Sequence, residues 1–127
     1  MQPLALLVDD EPYMCQFLAR LLNRRGIASC EAQTNDEALA LVQTRHPDLI
    51  TTDLRRPGGT GLEFIQRVRA MPGLGAVPII LISGSTKPDE RQQAEQAGVI
   101  AILGKPLEPE EFYAAIEHIW PLEQPLT

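Results

Sequence analysis

The run Leu49-Ile50-Thr51-Thr52-Asp53 decides how this chain is read. It is apolar and β-branched, it ends in one carboxylate, and Pro57-Gly58-Gly59-Thr60-Gly61 follows shortly after. A buried strand that stops at an acid and opens into a breaker-rich loop places that acid at the mouth of a sheet. Working outward, three other strand-like runs end the same way. Leu4–Val8 stops at Asp9-Asp10, residues 77–82 stop at Ser83, and residues 99–103 stop at Gly104-Lys105.

The segments between these runs carry helical patterns. Met14, Phe17, Leu18, Leu21 and Leu22 recur at one-face spacing after Pro12, which suits a first helical turn. Arg24 and Arg25 suit the negative end of that helix, and Gly26 its cap. A short strand is expected over 27–30. Thr34 then caps a second helix to about Arg45, with Glu37 placed to close a capping box and Ala38, Leu39, Leu41 and Val42 as its apolar face. His46-Pro47 ends it. Leu62, Ile65 and Val68 mark a third helix, stopped by Pro72-Gly73.

A fourth helix, 88–97, has little apolar face beyond Ala94 and Ala97 and is closed by Gly98, so it is expected to be weakly anchored and mobile. A last helix starts at Pro109, shows Phe112, Ala115, Ile116 and Ile119 on one side, and is closed by Trp120-Pro121. Five strand-helix units in strict alternation imply a parallel sheet covered on both faces and wound right-handedly. Ligands of such sheets bind outside the carboxyl ends of the strands, where the strand order reverses. Asp9, Asp10, Asp53, Ser83 and Lys105 are thereby sent to one rim.

Bulk properties narrow the function. At 127 residues the chain is one domain, and a net charge of -6 argues against a nucleic-acid surface. Lys87 and Lys105 are the only lysines. Cys15 and Cys30 have neither CxxC nor metal-ligand spacing, which fits two semi-buried thiols in a reducing cytosol. No run is long enough to span a membrane and no signal peptide is visible, so a cytoplasmic protein is expected. His46 and His118 lack ligand-like spacing and are expected to be solvated or packing residues.

Three crowded carboxylates repel one another unless a cation sits among them, and Mg2+ is the hard ion that suits such oxygens. Taken alone, Asp9-Asp10-Glu11 equally fits the acidic start of a helix. A carboxylate can also accept a phosphoryl group as an acyl phosphate, with Lys105 as a point charge for one phosphoryl oxygen and Ser83 as a hydroxyl donor for another. Gly84 would let backbone approach that group closely. Taken singly, Ser83 is also a turn serine and Lys105 a solvated lysine.

The set Val8-Asp9-Asp10-Glu11-Pro12, Pro47-Asp48-Leu49-Ile50 through Asp53, Pro57-Gly58-Gly59-Thr60-Gly61, Pro78-Ile79-Ile80 through Ser83-Gly84, and Lys105-Pro106 resembles the receiver domain of two-component response regulators. The resemblance covers essentially residues 3–120, and all five pieces stand in order at compatible spacing. It implies a flavodoxin-like, doubly wound α/β fold: a five-stranded parallel sheet of order 2-1-3-4-5 with five helices. It also implies that Asp53 is the phosphoacceptor, that Asp9 and Asp10 bind Mg2+ with Asp53 and the backbone carbonyl of Arg55, and that Ser83 and Lys105 hold the phosphoryl group. The implied partner is a histidine kinase or phosphotransfer protein. An unidentified output partner, or a second copy, would meet the fourth helix, fifth strand and last helix. The chain would then be a signalling switch and not a metabolic enzyme, with residues 1–121 as the receiver domain and 122–127 as a short tail or linker stub.

Departures from the family pattern bear on the output step. Ile102 stands where an aromatic residue is usual, and an aliphatic side chain has no ring-in, ring-out alternative to turn with Ser83. Arg56 and Thr60 stand where Met and Asp are common, and Arg55, two past the acceptor, bears on access of hydrolytic water. A second reading is a receiver-fold scaffold independent of phosphate. A third, a small-molecule phosphatase or nucleotide-binding domain, lacks a second acid at Arg55 and any glycine-rich nucleotide motif.

Overall fold

The computed structural model describes residues 2–56 and 59–120. The expected tail 122–127, Pro121 as a helix stop and Pro57-Gly58 lie outside the described residues, as does the side chain of Arg56. Five strands, β1 (Leu4–Val8), β2 (Ala28–Ala32), β3 (Leu49–Asp53), β4 (Ile79–Ser83) and β5 (Ala101–Gly104), alternate with α1 (Pro12–Asn23), α2 (Asn35–Arg45), α3 (Gly61–Arg69), α4 (Pro88–Gln96) and α5 (Pro109–Glu117). The strands pair in parallel in the order β2-β1-β3-β4-β5, the expected doubly wound arrangement. Between β3 and α3, Arg55–Arg56 and Gly59–Thr60 form a small antiparallel ribbon.

Alternation along each strand divides the core into two layers. Ala5, Leu7, Leu49, Ile80 and Ile82 face α1 and α5, where they meet Leu18, Leu22, Phe112 and Ile116. Leu6, Val8, Ile50, Ile79 and Leu81 face the other way, onto Val42, Phe64, Ile65 and Val68 of α2 and α3. Each of these Leu, Ile, Val and Phe side chains, fully buried, contributes roughly 1.5–3 kcal/mol. Continuous apolar runs in β1 and β4 are therefore a consequence of both sheet faces being covered.

Three strand starts differ from expectation because a preceding turn or proline claims the residue. Ile27 donates its N–H to Leu22 O at 3.0 Å and Gly26 to Asn23 O at 3.0 Å, so Ile27 belongs to the turn closing α1 and β2 begins at Ala28. Gly26 sits at φ +75°, the left-handed conformation that this turn requires. Val99 N likewise bonds Ala94 O, which moves the start of β5 to Ala101. Val77 N turns back to Leu74 O and Pro78 has no N–H, so β4 starts at Ile79. Thr34 caps α2 as expected, accepting from Glu37 N at 3.1 Å, although the Glu37 carboxylate meets the Thr34 hydroxyl and not its backbone N–H.

Candidate functional site

Strand register assembles the rim. Val8 lies opposite Thr52, so Asp9 leaves β1 beside Asp53 at the end of β3. Asp53 lies opposite Ile82, and Ser83 lies opposite Gly104, which brings the next residue of each strand to the same edge. Lys105 N donates to Ser83 O at 3.1 Å. The five residues expected at the rim are thus brought together at the carboxyl ends of β1, β3, β4 and β5. Strand order reverses between β1 and β3, which is where such sheets bind ligands.

Asp9 and Asp53 are each 3% exposed and Ser83 7%, whereas Asp10 is exposed. One carboxylate oxygen from each of Asp9, Asp10 and Asp53 lies within 4.8 Å of the other two. Three hard oxygen donors this close form a set that suits a divalent cation of the Mg2+ kind. Lys105 Nζ is 3.2 Å from Asp9 Oδ2 and 3.7 Å from Glu11 Oε1, and Asp9 Oδ1 accepts the Glu11 N–H at 2.9 Å. Burial works to lower the Lys105 pKa, but the charge and hydrogen bond of Asp9, with Asp53 and Glu11 behind, outweigh it and raise it. Lys105 is the counter-charge of this acidic cluster.

Ser83 Oγ donates to Ser85 O at 2.7 Å and accepts from Ser85 N at 3.2 Å. It is therefore a turn serine as well as a rim hydroxyl. A cleft of about 290 Å3 opens between Asp53, Arg55, Ser83-Gly84-Ser85 and Lys105. Among the described residues, chain neighbours aside, nothing lies within 4 Å of where a Cβ would stand on Gly84, so no packing contact of the fold demands glycine there. Ile102 is half-buried against the α2–α3 side of the core, opposite Leu81. His46, in the left-handed turn after α2, and His118, at the end of α5, are both exposed, and among the described residues neither joins a group of metal-ligating side chains.

The structure adds contacts that sequence reasoning did not foresee. A Cβ on Gly61 would stand 2.0 Å from Asp53 O, so only glycine lets α3 start against the end of the central strand. Thr60 caps α3, accepting from Glu63 N at 3.1 Å; the Thr60-x-x-Glu63 spacing was a legible signal of this. Arg55 reaches across to α4, its two Nη atoms each 2.8 Å from a Glu90 oxygen. Arg69 donates to Ala97 O and Val77 O, both at 2.7 Å, and to Gly98 O at 3.3 Å. Nothing in local sequence pattern pointed to either arginine's partner.

Known proteins agree with this geometry. Residues 5–117 match the family described as response regulator receiver domain. The phosphate regulon transcriptional regulatory protein PhoB of Pseudomonas aeruginosa is 30% identical over 114 residues, 90% of this chain and 50% of that protein. The KDP operon transcriptional regulatory protein KdpE of Escherichia coli is 38% identical over 101 residues, 80% and 44% of the two. This chain thus spans about half the length of these curated relatives. Among solved structures, the Vibrio cholerae chemotaxis protein CheY4 superposes with a TM-score of 0.87 at 28% identity, covering 94% of this chain and 99% of that one. A response regulator receiver protein from Pseudomonas putida gives 0.87 at 30%, covering 93% and 98%. With its 2-1-3-4-5 sheet and its acidic rim, this chain belongs to the response regulator receiver domain family and is a phosphorelay receiver.

Proposed function

We propose that Asp53 accepts a phosphoryl group from a phosphohistidine, that Asp9, Asp10, Asp53 and the Arg55 backbone carbonyl hold Mg2+, and that Ser83 and Lys105 receive the phosphoryl oxygens. The observation that carries this reading is the placement of Asp53. It is a buried carboxylate at the end of the central strand, within 4.8 Å of two other acids, at the floor of a cleft that Ser83 and Lys105 also line. A carboxylate oxygen of Asp53 attacks phosphorus, the P–O bond forms, and the P–N bond breaks with its electron pair and a proton going to the departing imidazole. In a separate hydrolytic step, water oxygen attacks phosphorus and the acyl P–O bond breaks with its electron pair returning to the Asp53 carboxylate; inorganic phosphate leaves and the water's proton passes to it or to solvent. Bound Mg2+ would supply neutralisation of the negative charge that builds on the transferring oxygens. Lys105, now on Asp9, has the reach to turn its ammonium to a phosphoryl oxygen, and Ser83 can exchange its Ser85 carbonyl for another.

Receiver identity implies a histidine kinase or phosphotransfer protein as donor. The proposed output surface is α4, β5 and α5, open to a partner or to a second copy, and the proposed domain limits are residues 1–121. A cytoplasmic location is proposed on the family's character; among the described residues no helix is long and apolar enough to cross a membrane. One observation favours the phosphate-independent scaffold as second reading: Ile102 is packed against the core and has no ring to swing. Intact mass after incubation with Mg2+ and acetyl phosphate separates the two. A phosphoryl adduct on the wild type that is alkali-labile and missing from Asp53→Asn supports the acceptor; no adduct from acetyl phosphate or from a phosphohistidine donor, with Mg2+ shown to bind, supports the scaffold.

A further inference from the structure

Helix α4 has a narrow apolar anchor and an arginine at each end. Of its nine residues only Ala94 is buried. Just past its C-terminal end, Arg69 ties the carbonyls of Ala97 and Gly98 to that of Val77 ahead of β4. At its N-terminal end, the Glu90 carboxylate accepts the Lys87 N–H at 2.9 Å and takes both Nη atoms of Arg55. Arg55 leaves the backbone two residues beyond Asp53 and lines the cleft that opens on it. Its side chain is 47% exposed against 16% for Glu90, so the arginine is the more solvent-exposed half of the pair.

We propose that the Arg55–Glu90 pair is a latch coupling α4 to the charge on Asp53. In the unmodified protein the guanidinium holds the first turn of α4; a phosphoryl group on Asp53 draws the guanidinium to itself and frees that turn. The inference rests on Asp53 being the acceptor. A phosphoryl group carries a charge of roughly -1.5 to -2 and, like a carboxylate, fits the two-pronged guanidinium, so it competes with Glu90 for the same donors. The Ala94 contact and the Arg69 clamp remain, which makes the C-terminal end the pivot. Ile102 gives this chain no aromatic ring to signal with, and Arg55 supplies a mechanical link from the site to the same helix.

The test is hydrogen exchange over residues 88–96, read by mass spectrometry on the full chain with Mg2+, with and without acetyl phosphate, alongside adduct mass in the same samples. Arg55→Ala deletes the latch; Glu90→Gln removes the charge yet leaves an acceptor for the Lys87 N–H. Without phosphate, both variants should exchange about two- to five-fold faster than wild type over 88–96, as loss of an exposed ion pair allows, with β1, β3 and β4 unchanged. Phosphorylation should bring the wild type to the variants' level and add nothing to theirs. Variants that match the wild type before phosphorylation, or an Arg55→Ala helix that loosens on phosphorylation by the wild-type factor, would overturn the latch alone. An adduct that fails to form on the wild type with every phosphodonor overturns the acceptor assignment and, with it, the coupling.

Discussion

Replacing Asp53 with Asn removes one of three charges that the fold forces together, and it should stabilise the metal-free protein. The carboxylate oxygens of Asp9, Asp10 and Asp53 lie within 4.8 Å of one another. Two charges at that distance repel by about 3.5 kcal/mol at an effective dielectric constant near 20, and by about 0.9 kcal/mol in water. The first figure suits Asp9 and Asp53, both buried, and the second suits the exposed Asp10. Lost attraction to Lys105 offsets part of the relief, but Lys105 keeps Asp9 at 3.2 Å, and a buried charge no longer has to be desolvated. The net expectation is a gain of about 1–3 kcal/mol in urea denaturation without divalent cations. Mg2+ should stabilise the wild type by roughly 2.7 kcal/mol at a hundredfold excess over Kd and the variant by clearly less. A variant no more stable than wild type in chelator, together with a wild type indifferent to Mg2+, would refute the reasoning.

Other outcomes follow from particular contacts. Gly61→Ala would place a methyl 2.0 Å from Asp53 O, so the end of β3 must move; a loss of about 1–3 kcal/mol in urea is expected, with slower adduct formation from acetyl phosphate. Arg69→Met strips the charged donor from the carbonyls of Ala97 and Gly98, just past α4, and of Val77, just before β4, and should lower stability by about 1–3 kcal/mol, with faster exchange at residues 94–98. Burial, with Glu31, Asp9 and Asp53 adding, pushes the Cys15 thiol from 9.0 up to about 12. Its raised value means that the unfolded chain ionises first. The thiol's contribution is intact below about pH 9 and falls away as pH rises towards 12, and the alkaline limb of stability against pH should flatten in Cys15→Ala.

Reading the chain residue by residue reached the strands, the helices and the members of the rim, because each is a local property. A run such as Leu6-Leu7-Val8 that flips to Asp9-Asp10 announces a buried strand and its polar end within a few residues. Alternation of strands and helices then limits the sheet to parallel windings with one rim, and Asp53, Ser83 and Lys105 follow by position. Element edges were less legible. Ile27 and Val99 look like strand residues and are spent on helix-closing turns, a choice made by hydrogen bonds to Leu22 and Ala94.

What pattern alone could not supply is which side chains meet across the sheet. Arg55 and Glu90 are 35 residues apart, and each reads as a solvated charge on its own element. Only the lateral order β3-β4 and the docking of α4 bring them within 2.8 Å. The demand for glycine at 61 is of the same kind, since the obstructing atom is the carbonyl of Asp53 and not a neighbour in sequence. Burial periodicity and turn chemistry act within a few residues and so are written in the chain. Ion pairing, steric exclusion and the crowding of three carboxylates depend on distances in space, and those exist only once the sheet has closed its register.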